Sequence, residues 1–324
     1  MPRSSRPVPD TAPQAAHARS LNGYLLVDKP VGPSSHSAVQ HVRRALGIGG
    51  RRGTKAGHAG TLDPFASGLL LVLVGRATRL MPFVVGHDKR YLVDVRFGAS
   101  STTDDSEGEL TPDPSPAPTR AAAEAAIARL AASTTQVPPA VSAIHIDGVR
   151  AYQRVRRGEV VTVPPRSVRF DGIELVEWHE PQPGDSGPRA VIDVRCGTGT
   201  YMRALARDLG ELVGSAAHCE ALRRTEVGEW RLDDAPAPGE ATRDDLRDAV
   251  ELLDDLPRVT LADAAAVDDV ARGNRLPAPP DLVSASHVAL LAPDGSLAAI
   301  AEPTAAGLLQ PRTVLVDPPP TRVE

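Results

Sequence analysis

Long apolar segments and cysteine-rich patterns are both missing from this chain of 324 residues. No apolar stretch reaches the roughly 18 residues that a membrane-spanning helix needs. Residues 1–20 lack the apolar core of a secretory signal, so we expect a disordered tail there. The two cysteines, Cys196 and Cys219, have no paired spacing and lie in strand-like contexts. This is typical of reduced thiols in the cytoplasm, although a disulfide between them stays open.

The familiar signatures of nucleotide, metal and hydrolase sites are absent as well. The glycine-rich segment around Lys55 lacks the G-x-x-x-x-G-K-[ST] spacing of a P-loop. CGTGTYM, which begins at Cys196, lacks the third glycine of a dinucleotide-binding fingerprint. There is no H-E-x-x-H, C-x-x-C or G-x-S-x-G, and the nine histidines are scattered without ligand spacing. The sequence therefore predicts no metal site.

Charge is distributed unevenly along the chain. The formal net charge is −5, which by itself argues against a nucleic-acid partner. From Gln40 to Arg90, however, nine Lys/Arg and two acidic residues give a local balance of +7. From Glu226 onward, eight Lys/Arg and nineteen acidic residues give −11. This asymmetry favours one basic face on an otherwise acidic chain, and a plain solvated surface is the alternative.

Hydrophobic periodicity predicts strands mixed with helices, without a βαβ rhythm. Strands are predicted at 24–27, 90–97, 190–196 and 222–230, while the apolar run 68–74 fits a strand or a short helix. Helices are predicted after Ser34 or Ser35, after Thr119 at about 120–132, at 202–212, and after Thr242 as far as Leu253. Loops are predicted at 47–60 and 100–118, and an extended basic insertion follows residue 136.

A break near residues 256–257 opens a second, smaller unit. Its helix ends at Gly273, and the strands 287–291 and 297–301 flank the turn sequence PDGS. The whole pattern predicts an α+β main domain followed by a small β-rich unit.

Asp63 is the polar residue that raises the sharpest question. It lies in GHAGTLDPFASGLL (57–70), where His58 and several glycines precede it and an apolar run follows. An Asp-Pro pair commonly starts a turn, which is one interpretation. The other is chemical, because glycines let the backbone lie against a substrate and nearby arginines favour the ionised carboxylate. Such a carboxylate can act as a nucleophile or ion-pair partner at the anomeric carbon of a sugar.

Five further segments stand in the order and spacing of a known family. They are LLVDKPVGPSS (25–35), KRYLVDVRFG (89–98), QVPPAVSAIHIDGVRAYQRVRRG (136–158), CGTGTYMRALARDLG (196–210) and ALRRTEVG (221–228). With G-H-x-G-x-L-D-P around Asp63, they resemble the bacterial tRNA pseudouridine synthase B (TruB) family over roughly residues 22–230.

The resemblance implies a pseudouridine synthase fold, with a mixed, largely antiparallel sheet flanked by helices and loops and a small β-rich C-terminal PUA-like domain. It implies a tail at 1–20, a catalytic domain at 21–255 with an RNA-binding insertion at about 136–166, and the PUA-like domain at 256–324. The implied reaction isomerises uridine 55 in the T loop of tRNA to pseudouridine, with base flipping, one essential aspartate, no cofactor and no metal. The implied partner is the T arm of tRNA, bound by a cytoplasmic monomer.

Residue by residue, the resemblance implies that Asp63 is the catalytic aspartate and that Arg203 is the arginine that pairs with it. By the same resemblance, Tyr91 would pack on the target base and is a candidate for taking the proton from C5. Aromatic residues make up only 3% of the chain, so a tyrosine directly after Lys-Arg also stands out as a stacking residue, and a core-facing strand residue is the alternative. The other implied substrate-binding residues are His58, Lys29, Tyr201 and Leu222. Within the insertion, the residues expected to meet RNA phosphates are Arg150, Arg154, Arg156 and Arg157.

Two other functions fit parts of the pattern. A non-catalytic RNA-binding or tRNA-folding protein on the same scaffold needs no carboxylate among its phosphate contacts, so Asp63, Tyr91 and Arg203 favour the enzyme. A glycosidase that hydrolyses the bond normally uses two carboxylates about 5–10 Å apart. The segment around Asp63 offers one.

Overall fold

The computed structural model describes residues 21–49, 54–142, 144–146 and 148–317, so the predicted tail at 1–20 lies outside the described residues. Its larger sheet has eight strands. In chain order they are β1 Gly23–Lys29, β2 Ala56–Ala59, β3 Ala66–Val74, β4 Lys89–Phe97, β5 Phe170–His179, β6 Arg189–Cys196, β7 Ala217–Val227 and β8 Trp230–Arg231. The strands lie side by side in the order β1-β3-β7-β4-β6-β5, with β2 also on β3 and β8 on β7. The β3–β7 pair is parallel and the others are antiparallel, which confirms a mixed, largely antiparallel sheet.

Helices flank this sheet. They are α1 Ser35–Ala45, α2 Met81–Val85, α3 Arg120–Ala131 and α5 Met202–Leu212, while α4 Ala151–Arg156 lies in the insertion and α6 Ala264–Ala271 packs on the C-terminal strands. Short 3-10 turns lie at Gly75–Leu80, Ala249–Leu253 and Pro280–Leu282. Two predicted caps are confirmed, because the hydroxyls of Ser34 and Thr119 accept hydrogen bonds from backbone N–H groups in the first turns of α1 and α3. Within the described ranges, no helix is long and apolar enough to cross a membrane.

The main core lies between the sheet and helices α1, α3 and α5. Alternate residues of β4 and β6 face it, as their sequence pattern predicts, and both cysteines are buried there as free thiols. Strand β3 is buried on both faces, because Leu70 and Val72 join this core while Leu69 and Leu71 join a second one. A strand covered on both faces shows no alternation, which is why the apolar run could not be distinguished from a helix.

The C-terminal unit is a five-stranded sheet packed on the back of β1 and β3. Its strands are β9 Arg258–Thr260, β10 Leu276–Pro277, β11 Val288–Leu291, β12 Leu297–Pro303 and β13 Leu308–Val314, in the spatial order β9-β11-β12-β13-β10. This confirms a small β-rich unit, consistent with a PUA-like domain. Ile300 and Leu315 belong to the second core together with Leu73. Arg76 donates to the carbonyl of Val316 at 2.7 Å and ties the end of this unit to the main sheet.

The predicted helix after Thr242 is wrong. Thr242 instead bonds Asp245 through its backbone N–H and its hydroxyl, and a short 3-10 turn begins only after Asp248. The apolar spacing is genuine, but Leu246 packs against the main core whereas Leu253 belongs to the second core. A chain that passes between two cores can therefore imitate the periodicity of one amphipathic helix.

Three loop predictions are also wrong in part. Residues 56–59 form β2, because their backbone pairs with β3 even though glycine disfavours strands. The segment 100–118 contains a ladder between Ala99–Ser101 and Leu110–Pro112, and it buries one carboxylate. The insertion is closed at its base by Thr135–Gln136 pairing with Arg166–Ser167, and it contains a hairpin (His145–Ile146 with Val149–Arg150) and α4.

One strand boundary is misplaced as well. The strand expected at 222–230 begins at Ala217 and ends at Val227, and Gly228 turns the chain with a φ of +56° before β8.

Candidate active site

Asp63 lies in the turn that links β2 to β3. Gly60 adopts a φ of +94° at the start of this turn, a conformation that glycine accepts readily. The hydroxyl of Ser35, in the first turn of α1, both donates to the carbonyl of Leu62 and accepts from its N–H, each at 2.8 Å. The Asp63 side chain is 39% exposed. The turn interpretation and the chemical one are thus compatible, since a fixed turn presents an accessible carboxylate.

Arg203 holds that carboxylate from the first turn of α5. Its Nε lies 3.0 Å from Oδ2 of Asp63, and its Nη1 lies 3.2 Å from Oδ2 of Asp105. The same guanidinium donates to the carbonyl oxygens of Thr103 (2.9 Å) and Val141 (3.0 Å). Arg203 is 5% exposed, so its orientation is fixed by four partners in a buried setting.

Asp105 is a residue that the sequence reasoning missed. It is 3% exposed, although it lies in a polar segment that predicts a surface loop. Its Oδ1 accepts hydrogen bonds from the hydroxyl of Thr103 at 2.5 Å and the N–H of Glu107 at 3.0 Å, while Oδ2 faces Arg203. No local pattern distinguishes this carboxylate from its exposed neighbours, because only the position of α5 makes it a partner of Arg203.

Two cavities meet at the Asp63–Arg203 pair. The inner cavity has a volume of about 270 Å³ and is lined by Asp63, Lys89, Tyr91, Tyr201, Arg203, Leu222 and Arg224, with the glycine- and threonine-rich residues 197–200. The structure therefore brings together the predicted residues Asp63, Tyr91, Tyr201, Arg203 and Leu222. An aromatic and aliphatic cavity with a few polar groups suits one planar base better than a length of RNA chain.

Tyr91 and Arg224 form one wall of the inner cavity. Arg224 is 1% exposed, and its Nε donates to the carbonyl of Leu69 at 2.8 Å, while Nη2 donates to the carbonyl of Gly60 at 3.1 Å. Burial raises the pKa of the Tyr91 phenol, and the charge and hydrogen bond of Arg224 oppose that rise. Arg224 lies in the motif ALRRTEVG, but no role is predicted for it, because nothing in the local sequence shows that it is buried.

The outer cavity has a volume of about 700 Å³ and opens on the other side of the same pair. It is lined by His36, His58, Asp63, Asp105, Glu107, Val155 and Arg203, together with Ser34, Ser35, Thr61, Leu62, Pro64, Thr103, Val141 and Ser142. The predicted residue His58 belongs here and does not line the inner cavity. Burial, reinforced by the charge of Arg224, lowers the pKa of His58 and favours a neutral imidazole.

Lys29 lines neither cavity. It has no exposed surface, and its ammonium donates to the carbonyls of Pro30 (2.9 Å), Pro33 (2.8 Å) and Pro64 (3.4 Å). Burial lowers its pKa from 10.5 to about 8. The geometry suits a lysine that fastens two loops together beneath Asp63, which differs from the direct substrate contact that the resemblance implies.

The arginines of the insertion lie around α4, whose Val155 forms part of the outer cavity. Arg157 is exposed, and Arg154 lies 3.8 Å from Glu159. The side chains of Arg150 and Arg156 lie outside the described residues, as do Arg51 and Arg52 of the basic stretch. Arg76 and Arg90 of that stretch are engaged by protein groups, Arg76 by the C-terminal unit and Arg90 by Asp193.

Sequence comparison finds related proteins that match most of the chain. A family model described as TruB family pseudouridylate synthase (N terminal domain) matches residues 43–202. The tRNA pseudouridine synthase B of Arthrobacter sp. (strain FB24) is 40% identical over 296 residues, covering 86% of this chain and 92% of the relative. That of Leifsonia xyli subsp. xyli (strain CTCB07) is 43% identical over 296 residues, covering 87% and 92%.

Among solved structures, a Cbf5-Nop10-Gar1 complex matches with a TM-score of 0.63 and 21% identity, over 92% of this chain and 86% of that chain. An H/ACA RNP bound to a substrate RNA containing 2'-deoxyuridine matches with a TM-score of 0.63 and 20% identity, over 91% and 85%. These two likenesses bear on the fold, and they confirm the pseudouridine synthase fold. Because the curated relatives match at about 40% identity across most of both chains, the chain belongs to the tRNA pseudouridine synthase B (TruB) family.

Proposed function

We propose that this protein is an isomerase that converts uridine 55 in the T loop of tRNA to pseudouridine, with Asp63 as its catalytic residue and no cofactor. Pseudouridine formation in tRNA follows from the family. The choice of uridine 55 and the roles of individual residues are our proposal. The observation that carries it is the Asp63–Arg203 pair, 3.0 Å apart, at the junction of a base-sized inner cavity and a wider outer one.

The reaction exchanges a bond from ribose C1′ to uracil N1 for a bond from C1′ to C5. A carboxylate at C1′ can act as a nucleophile or pair with a positively charged sugar while the base is detached. Arg203 fixes the direction of the Asp63 carboxylate, and it is held in turn by Asp105. Water must stay away from C1′ during this interval, because hydrolysis would release uracil. A small inner cavity lined by Tyr91, Leu222 and Tyr201 serves that purpose.

The target uridine must leave its stack to reach this cavity. Enzymes that act on a base extrude it and hold it against an aromatic or apolar side chain. Tyr91 and Leu222, which line the inner cavity, would hold the flipped base, and Tyr91 is our candidate for removing the C5 proton. His58, in the outer cavity, would support the RNA next to the flipped nucleotide.

We further propose that the insertion at about 136–166 closes over the T arm, with Arg150, Arg154, Arg156 and Arg157 on RNA phosphates. The catalytic domain would span residues 21–255 and the PUA-like domain residues 256–324, in a monomer that works in the cytoplasm. Val155 of α4 supports this arrangement, because it places the insertion at the edge of the outer cavity.

The direct test uses the variant Asp63→Asn and an unmodified tRNA transcript. We expect this substitution to abolish pseudouridine formation, because an amide can neither attack C1′ nor balance its positive charge. The affinity for tRNA should stay near that of the wild-type protein. Chemical mapping of pseudouridine gives the position, and filter binding gives the affinity. Near-normal turnover by Asp63→Asn would refute the catalytic assignment. A protein that binds tRNA but forms no pseudouridine would instead be the non-catalytic RNA-binding protein that the sequence left open.

A further inference from the structure

Lys89 faces the inner cavity without a carboxylate partner. It stands two residues before Tyr91 on β4, so both side chains are on the same face of the strand. Its ammonium donates to the carbonyls of Val85 at 2.9 Å and His87 at 2.5 Å. No carboxylate of the described segments pairs with it, and two acceptors leave one of its three N–H donors for a molecule in the cavity.

Arg224, in the same cavity wall, is a second positive charge of this kind. Its described hydrogen bonds go to backbone carbonyls, those of Leu69, Gly60 and Thr61, and to the Tyr91 hydroxyl. Most other arginines of the main sheet and α5 have a carboxylate within ion-pair distance, namely Arg90, Arg96, Arg189, Arg203, Arg207 and Arg223. Lys89 and Arg224 thus bring two positive charges, neither in a described ion pair, to the cavity that also holds the Asp63–Arg203 pair.

Two like charges beside one small cavity oppose each other, and burial adds a desolvation cost. Both effects act on Lys89. Its pKa is lowered to about 8, chiefly by burial and next by the positive charge of Arg224. The negative charges of Cys196 and Asp88 oppose this shift but are weaker. Asp88 is itself engaged by Arg169. An anion that entered the cavity would relieve this repulsion, so the site is organised in advance for negative charge.

We propose, on the basis of the function proposed above, that Lys89 is a further catalytic residue, which stabilises the negative charge on the uracil when its bond to the ribose breaks. The C1′–N1 bond breaks with its electron pair on N1, and the resulting negative charge is shared with O2 and O4. The positive charge left at C1′ is met by the Asp63 carboxylate. After the base turns, C5 bonds to C1′, a base removes the C5 proton and N1 gains a proton, so the product is an isomer of the substrate.

The base is a better match for this charge than an RNA phosphate. Lys89 shares its cavity with Tyr91 and Leu222, and the volume of about 270 Å³ holds little beyond one nucleoside. Phosphates run along the outside of the RNA, where exposed cations such as Arg157 can meet them. A catalytic charge at the base changes the rate of the chemical step, whereas a phosphate contact changes affinity, so the two roles can be separated.

The experiment compares Lys89→Met and Lys89→Arg under single-turnover conditions, with tritium release from tRNA labelled at uridine C5 and filter binding for Kd. Lys89→Met should lower the rate by about 100-fold or more, the size of loss seen when one charge-stabilising donor is removed. Its Kd should change by less than about threefold, because the charge develops only after binding. Lys89→Arg should recover part of the rate, since the guanidinium keeps the positive charge but differs from the ammonium in size and geometry.

The pH profile gives a second readout that a purely structural role would not produce. The wild-type rate should fall as pH rises above about 8, where Lys89 loses its proton. The rate of Lys89→Arg should stay level across that range, because arginine remains protonated. The charged and titratable groups near Lys89 are Asp88, Arg224, the Cys196 thiol and the His87 imidazole, whose own pKa is lowered chiefly by burial.

Arg195→Met is the matched control. Arg195 lies on β6 next to Cys196 but is exposed on the opposite face of the sheet, so its loss should leave rate and Kd unchanged. A Lys89→Met rate within about threefold of wild type would overturn the inference. So would a weakened Kd with an unchanged rate, which would move the contact to the RNA backbone. If Lys89→Met fails to fold, the pH profile of Lys89→Arg decides instead. A Lys89→Arg rate that falls above about pH 8, as the wild-type rate does, would also overturn the inference. A wild-type protein that forms no pseudouridine would instead refute the proposed function.

Discussion

Replacing Arg203 by methionine should be among the most damaging single changes in the protein, for reasons of stability as well as chemistry. Arg203 bridges Asp63 and Asp105 and donates to two carbonyl oxygens. Its removal leaves Asp105, which is 3% exposed, as a buried carboxylate without a cation. Breaking a buried ion pair from one side costs about 3–5 kcal/mol. Because Asp105 keeps its hydrogen bonds from Thr103 and Glu107, we expect the lower end, about 3 kcal/mol.

The assay is urea unfolding followed by tryptophan fluorescence, since Trp178 packs against the main core and Trp230 against the second core. The double variant Arg203→Met with Asp105→Asn should regain about 1–3 kcal/mol, because a neutral amide replaces the unpaired carboxylate. Pseudouridine formation should stay as low as in the single variant, since Asp63 still lacks its partner. Arg203→Lys should recover only part of the activity, because one ammonium cannot reproduce the planar, two-sided contact.

Arg207→Met is the control on the same helix. Arg207 pairs with Asp104 at 2.9 Å, but its side chain is 25% exposed, so the loss should be only about 1 kcal/mol. Activity should be retained, because Arg207 lines neither cavity. An Arg203→Met variant that is as stable as Arg207→Met, or a double variant that regains no stability, would refute the account of the buried bridge. Wild-type activity in Arg203→Met would remove the pair from the chemistry.

Two further predictions concern RNA binding and pH. Replacing Arg156 and Arg157 by alanine should flatten the slope of log affinity for tRNA against log salt by about one to two units, since each lost phosphate contact removes roughly 0.7–0.9. Changes after Glu226 should alter the slope far less. An unchanged slope in the double variant would place the binding surface elsewhere. Burial lowers the pKa of Lys29 from 10.5 to about 8, so the folded protein binds fewer protons than the unfolded chain between these values. The free energy of unfolding of the wild type, measured relative to Lys29→Met, should therefore rise as pH increases from about 8 to 10.5. A difference that falls or stays level would contradict the lowering of this pKa by burial.

Sequence patterns predicted the parts of the fold in which one element faces one core. Strands β4 and β6 alternate because a single face of each is buried, and α5 carries a stripe for the same reason. Strand β2 escaped prediction because its four residues acquire their structure from pairing with β3, not from their own propensity. The false helix at Thr242 arose because Leu246 and Leu253 serve different cores.

At the candidate site, the residues that could be predicted were those that the family resemblance identified. Its motifs named Asp63, Arg203, Tyr91 and Leu222, and all of them line one cavity. Asp105, Lys89 and Arg224 could not be found in this way, because a charged residue near polar neighbours gives no local sign that it will be buried. The position of α5 buries Asp105, and the passage of β7 beside β3 buries Arg224.

The position of β7 also determines the order in which the protein can be completed during synthesis. Strands β3 and β4 follow one another in the chain, yet β7 lies between them, pairing in parallel with Ala66–Gly68 and antiparallel with β4. Until residues 217–227 have been made, β4 presents an unpaired edge, and so does the Ala66–Gly68 end of β3, which β2 does not cover. Such edges invite association with other chains. Closing contacts of such long sequence separation is slow, because loop-closure entropy is lost before the pairing is gained. The nascent chain thus carries two incomplete half-sheets, and the strand that joins them delivers Arg224 and Leu222 to the cavity in the same step.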